Sequence, residues 1–186
     1  LLVDLNNASF GGVPPDNAKY ASNFGVGFGG VVELRVHKDV VLSLQPTWLQ
    51  KGSKVVFNED EEPDSVETFV VEQTYVSVPL LFRIESDGRG FYAGGGVSVD
   101  LLLDSEVEHD GTTVDNSGVF DDIDVVSYFT VGYLIPSKRF TTFIEGRYVQ
   151  GLVNINSGNQ TAVGDMYVAD FKSTGIALVA GVLFSL

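Results

Sequence analysis

The sequence has no cysteine, one tryptophan, one methionine and two histidines in 186 residues. Without cysteine there is no disulfide framework, no thiolate metal site and no thiol nucleophile. Positive charge is scarce, with 11 Lys and Arg against 25 Asp and Glu and a formal charge of −14. A general nucleic-acid binder needs a basic face, so that class is excluded. Long hydrophobic runs are also missing. The longest uncharged apolar stretch, GIALVAGVLFSL, has 12 residues, whereas a spanning helix needs ~20. The N-terminal LLVDLNNASF has no basic n-region and no small-residue cleavage site, so it does not read as a signal peptide. If the protein is exported, the chain is then the mature form. Charged residues are only 19% of the total, below the ~25% of an average soluble domain.

What is present is apolar, aromatic and glycine-rich, with 21 Gly, 13 Phe and 7 Tyr. An apolar chain carries a charge of −14 only if the charges sit apart from the apolar segments. Two segments hold most of the acid. One has Glu59, Asp60, Glu61, Glu62, Asp64 and Glu67. The other, 104–124, has Asp104, Glu106, Glu108, Asp110, Asp115, Asp121, Asp122 and Asp124. Both also carry Asn, Ser, Thr, Gly or Pro, and both read as solvated loops.

Between the loops the sequence alternates with period 2, the strand signal. Phe24, Val26, Phe28, Val32, Leu34 and Val36 share one parity, and Gly25, Gly27, Gly29, Glu33 and Arg35 the other. Val76, Val78, Leu80, Phe82 and Ile84 alternate with Tyr75, Ser77, Pro79 and Arg83. Residues 125–135, VVSYFTVGYLI, are apolar on both parities, which leaves their facing open. The pattern predicts eight strands, over 1–9, 22–36, 40–57, 67–85, 91–104, 122–135, 140–156 and 170–186. No helical repeat of useful length occurs. Eight strands suffice to close a small barrel filled by its own side chains.

The links alternate in length. Those at 37–39, 86–90 and 136–139 are short; those near 10–21, 57–66, 105–121 and 157–169 are long and polar. In an up-and-down barrel successive links fall at opposite ends, so every short turn and both termini share one end. Outer-membrane barrels have this asymmetry, with short periplasmic turns and long extracellular loops. A soluble, lipocalin-like ligand-binding barrel is the alternative, with its apolar parity inward. The polar parity, mostly Gly, Ser, Thr and Gln, suits water poorly. The apolar parity carries no charge, as lipid requires. The expectation is therefore a single domain over 1–186, an all-β, eight-stranded, antiparallel, up-and-down transmembrane β-barrel. The strand-borne charges Asp4, Glu33, Arg35, Arg83, Asp100, Glu145 and Arg147 then point into the lumen. Buried charges must be paired, and the planar Arg fork satisfies several acceptors. These residues are expected to form a structural plug of ion pairs, with an ion path as the sharper alternative.

The stretches LSLQPTWLQKGSK (42–54), YVSVPLLFRIE (75–85), FYAGGGVSVDLLL (91–103), FIEGRYVQGLVNI (143–155) and IALVAGVLFSL (176–186) resemble the PorT-like outer-membrane β-barrel family of Gram-negative bacteria. The characteristic pieces are Tyr75-x-x-x-Pro79-Leu80-Leu81, the Gly-rich strand after it and the Glu145-x-Arg147-Tyr148 strand. The resemblance implies an outer-membrane location, with lipid and the barrel assembly machinery as partners. It also implies a C-terminal assembly signal, here Phe184 and Leu186, although the family usually ends on an aromatic residue.

Parts for catalysis are few. His37 lies in a short turn and His109 in an acidic loop, neither beside a serine at triad spacing. The residues Gly94, Gly95 and Gly96 have no following GK[ST] and no helix, so they form no phosphate cradle. No enzymatic role and no cofactor are expected. Calcium at the acidic loops is the one ligand the carboxylates suggest, though neither loop has EF-hand spacing. The expected role is structural or binding, as an accessory subunit beside other envelope proteins, with a narrow porin-like channel as the alternative.

Overall fold

A computed structural model describes residues 1–58, 66–86, 90–156 and 170–184. Eleven strands are present among them. They are β1 (Leu2–Gly11), β2 (Ala18–Gly29), β3 (Val32–His37), β4 (Val40–Leu44), β5 (Thr47–Asn58) and β6 (Val66–Glu85), followed by β7 (Phe91–His109), β8 (Thr112–Asp115), β9 (Ile123–Pro136), β10 (Thr141–Gly151) and β11 (Lys172–Leu183). All pairings are antiparallel, and β1 pairs with β11 to close a ring. The ring runs β6, β5, β2, β1, β11, β10, β9, β7 and back to β6.

The ring has eight strands because two ring members are broken. The second expected strand is β2 followed by β3, and the third is β4 followed by β5. The breaks face each other, and the Gly30 N–H donates to the Pro46 carbonyl at 2.9 Å. Pro46 has no N–H of its own to offer the ladder, so the strand interrupts there. The long β6 spans the break, pairing β5 with its first half and β4 with its second.

The apolar parity faces outward. Val3, Leu5, Phe24, Val26, Phe28, Val78, Leu80, Phe82, Val97, Val99, Val131, Ile176 and Leu178 are all exposed, while Asp4, Ser43, Gln45, Ser77, Ser98 and Asp100 are buried inside. This overturns the soluble alternative, since water would meet a continuous hydrocarbon band. In residues 125–135 the even positions Val126, Tyr128 and Thr130 are buried and Phe129, Val131 and Tyr133 are exposed. Along β6 the belt runs from Val76 to Ile84. Eight steps of ~3.3 Å at a tilt of ~40° give roughly 20 Å of height, near the ~25 Å apolar band of outer-membrane barrels.

Several strands differ from expectation at the long-connection end. β2 begins at Ala18 rather than residue 22, β7 runs on to His109 rather than ending at 104, and β10 stops at Gly151. The expected loop 105–121 contains a hairpin, with β8 paired to the end of β7. Its turn is Asp110-Gly111, both with positive φ, as a two-residue primed turn requires. Above the belt the facing chemistry inverts. Outward positions become polar, as with Glu72, Asp104 and Glu106. Inward ones become apolar: Phe10, Val55, Val71, Val107, Val119, Phe120, Ile155 and Phe171 form one buried cluster.

Candidate functional site in the barrel lumen

The lumen is organised in levels. At the short-turn end lies an open vestibule of about 600 Å³, lined by Val31, Val41, Leu134 and the charged Glu33, Arg35 and Arg83. Arg83 forks onto Glu33 at 2.6 and 2.9 Å and reaches Glu85 at 2.8 Å. Arg35, more than half exposed, also binds Glu85 at 2.7 Å. The predicted residues Glu33, Arg35 and Arg83 therefore sit together at the mouth, joined by Glu85.

Deeper in, Arg147 on β10 hydrogen-bonds Glu145 through Nε and the Gln45 Oε1 through Nη2. Gln45 lies in the break between β4 and β5, on the opposite side of the ring, so this arginine crosses the whole lumen. The Tyr92 hydroxyl donates to the other Glu145 oxygen at 2.8 Å. Asp4 accepts a hydrogen bond from the Asn6 amide at 3.3 Å. Two inward glycines make room for the rings here. A Cβ on Gly132 would overlap the Tyr92 ring, and one on Gly181 the Phe143 ring.

Above this, Lys51 on β5 binds Asp100 at 2.9 Å and Asp124 at 2.7 Å, reaching across to β7 and β9. Its ammonium also lies 4.2 Å from the Tyr75 ring centre. Asp100 accepts from Ser77 at 2.6 Å and from Ser98, and Asp124 accepts from Ser173. All three ionisable side chains are less than a tenth exposed. The long-connection end is filled by the aromatic cluster, with Phe10 and Phe171 ring centres 4.8 Å apart and Phe120 at 5.8 Å from Phe10.

All seven predicted strand charges thus face the interior or its mouth, but they form three groups rather than one. Lys51, Glu85 and Asp124 complete those groups and are absent from the sequence-derived set. Asp124 reads as a loop acid from its neighbours, and Lys51 lies on the parity of Gln45 and Thr47, which would have found it. Phe184 is exposed at the short-turn end; Leu186 and Glu59, Asp60, Glu61, Glu62 and Asp64 lie outside the described residues. His109 stacks on Phe69 at 4.1 Å and His37 is exposed at the end of β3, beside the short turn, so both are away from the lumenal serines. Among the described residues no three Asp, Glu or His side chains converge to hold a metal.

A closed antiparallel ring with an apolar exterior and a polar, charge-paired interior defines a transmembrane β-barrel. The outer membrane protein beta-barrel domain family matches residues 3–157, and the chain belongs to that family, which places it in the outer membrane, against lipid. No curated protein matches the chain. Among solved structures, the translocator domain of the autotransporter NalP from Neisseria meningitidis is similar at 9% identity and a TM-score of 0.32, covering 100% of this chain and 88% of that one. So distant a likeness carries no argument.

Proposed function

We propose that this is a non-catalytic, PorT-like outer-membrane barrel that works by binding, as an accessory subunit of a larger envelope complex. The observation that supports this reading is the filled lumen. Arg147 and Lys51 join opposite walls at two levels, and phenylalanines pack the space above them. Eight strands leave an interior just wide enough for side chains, and here those side chains bond to one another. In this reading the short turns and both termini are periplasmic and the long connections extracellular. The C-terminal segment that carries Phe184 and Leu186 engages the barrel assembly machinery. The acids of 104–122 face water and no cofactor is used, with calcium at the acidic segments as the ligand alternative.

One observation favours a second reading. The 600 Å³ vestibule with its Arg83, Glu33 and Glu85 wall is the kind of entrance a narrow channel would have. Planar-bilayer recording separates the two. The binding reading expects no resolvable current from the wild type or from Arg147→Ala, together with retention of a co-purifying envelope protein. A current that appears or grows in Arg147→Ala makes the network a conduction gate.

A further inference from the structure

Above the apolar belt, β5, β6 and β7 continue as a sheet that ends in β8. On its other side β8 pairs with no strand among the described residues. All four of its residues, Thr112, Thr113, Val114 and Asp115, are exposed. The Asn116 N–H bonds the Ser105 carbonyl at 2.8 Å. In an antiparallel ladder the bonded pairs alternate, so Val114 and Thr112 bond β7. Thr113 and Asp115 then turn their backbone groups to the free edge. Natural edges are blunted by shortness, charge, proline or bulges; β8 is short and carries the charge of Asp115 but has no lysine, proline or bulge.

The sheet's outward face carries a specific charge pattern. Glu72 on β6 is directly opposite Glu106 on β7, and Glu106 is directly opposite Asp115 on β8. Like charges in such positions destabilise a sheet, yet three stand in one row, one strand spacing of ~4.8 Å apart. Asp104 and Glu108 flank the row on β7. The Ser117 backbone N–H, 2.9 Å from the Asp115 carboxylate, holds that group below the usual carboxylate range, so it stays ionised.

We propose that the β8 edge takes up an extended, lysine- or arginine-bearing segment of a partner protein as a further strand. A residue paired with Asp115 would continue the carboxylate row, and a basic side chain there would turn repulsion into attraction. The exposed backbone groups of Thr113 and Asp115 supply the main-chain bonds of strand addition, and the row selects the charge. A second copy of this chain is disfavoured, because its own β8, TTVD, brings no basic residue to meet the carboxylate row. The proposal rests on the reading of the protein as a binding subunit, and names the chemistry of the partner.

The test uses the full chain in nanodiscs and a ten-residue alternating Lys–Thr peptide, with alternating Glu–Thr as control. The Lys–Thr peptide should bind one to one, protect the Thr113 amide from hydrogen exchange, and weaken steeply with added salt. Thr113→Pro removes an outward N–H and no bond to β7; it should weaken binding at least tenfold. Glu106→Gln with Asp115→Asn should do the same while leaving the barrel folded. Equal binding of the two peptides, full binding by Thr113→Pro, no binding at all, or self-association in place of peptide binding would each overturn the proposal. The bilayer recordings read independently of this result, so failure here leaves the question of conduction untouched.

Discussion

Lys51→Ala is the sharpest probe of the lumen. The ammonium is buried between Asp100 and Asp124 and holds two carboxylates that no other cation touches among the bonds described. Removing one partner of a buried ion pair costs ~3–5 kcal/mol, since the remaining charge stays desolvated. Here two acids would be left facing each other, and Ser77, Ser98 and Ser173 reach only one oxygen of each and leave the charge unanswered. We expect a loss near the upper figure. With a urea slope of ~2 kcal/mol/M, a loss of ~5 kcal/mol moves the unfolding midpoint down by about 2.5 M. The single tryptophan, Trp48, packs 5.1 Å from Phe28 on the outer wall and reports unfolding from lipid vesicles by its fluorescence. Changing Asp100 and Asp124 to Asn alongside Lys51→Met should recover most of the stability, because neutral groups no longer need the pair. A loss below ~1 kcal/mol in the single variant, the range of solvent-exposed pairs, would refute the reasoning and mean that water fills this level of the barrel.

Val78→Arg on the lipid face should cost ~2–4 kcal/mol and reduce the folded, membrane-inserted fraction, whereas Gln50→Arg above the belt should insert normally; a heat-modifiability gel shows both. Gly132→Ala should destabilise by roughly 1–3 kcal/mol because the new methyl displaces the Tyr92 ring from Glu145. Gly146→Ala, with only the Val131 carbonyl at 4.0 Å, should be close to neutral in the same denaturation assay. Phe184→Ala should slow insertion by purified assembly machinery more than Phe91→Ala, an equally exposed aromatic at the same end. Equal rates would mean the last strand carries no signal.

The eight ring members, their order and the outward parity were legible because lipid accepts only one kind of residue and the period of 2 is strict. What the alternation hid was its own reversal. Val76 and Val78 face outward on β6, but five residues before Val76 it is the opposite parity, at Val71, that is buried. Water replaces lipid at that height, so the apolar face moves inside. Read with one fixed polarity, Asp104, Glu106 and Glu108 look like a loop, although they alternate with Ser105 and Val107 as a strand should. Asp110-Gly111 was a visible hairpin signal within that segment. The pairing of Lys51 with Asp124 was not visible, because three ring steps separate β5 from β9 and no local spacing encodes a contact across a barrel.

The seam between β1 and β11 joins the two most distant parts of the chain. Every other ring pair is built from strands that are neighbours along the chain once the β3–β4 hairpin and β8 are set aside, so only this one must wait for the whole barrel to be threaded. The water-side end of that seam is where Phe10 and Phe171 meet, with Tyr20 closing over them and donating its hydroxyl to the Asp170 carbonyl at 3.0 Å. The hydrophobic effect thus acts on the last closure step from outside the bilayer, where lipid cannot compete for the rings. A barrel that must part its first and last strands sideways to release a client would be hindered by such a clasp. This one is fastened at the seam, which leaves its two ends as the ways into its interior.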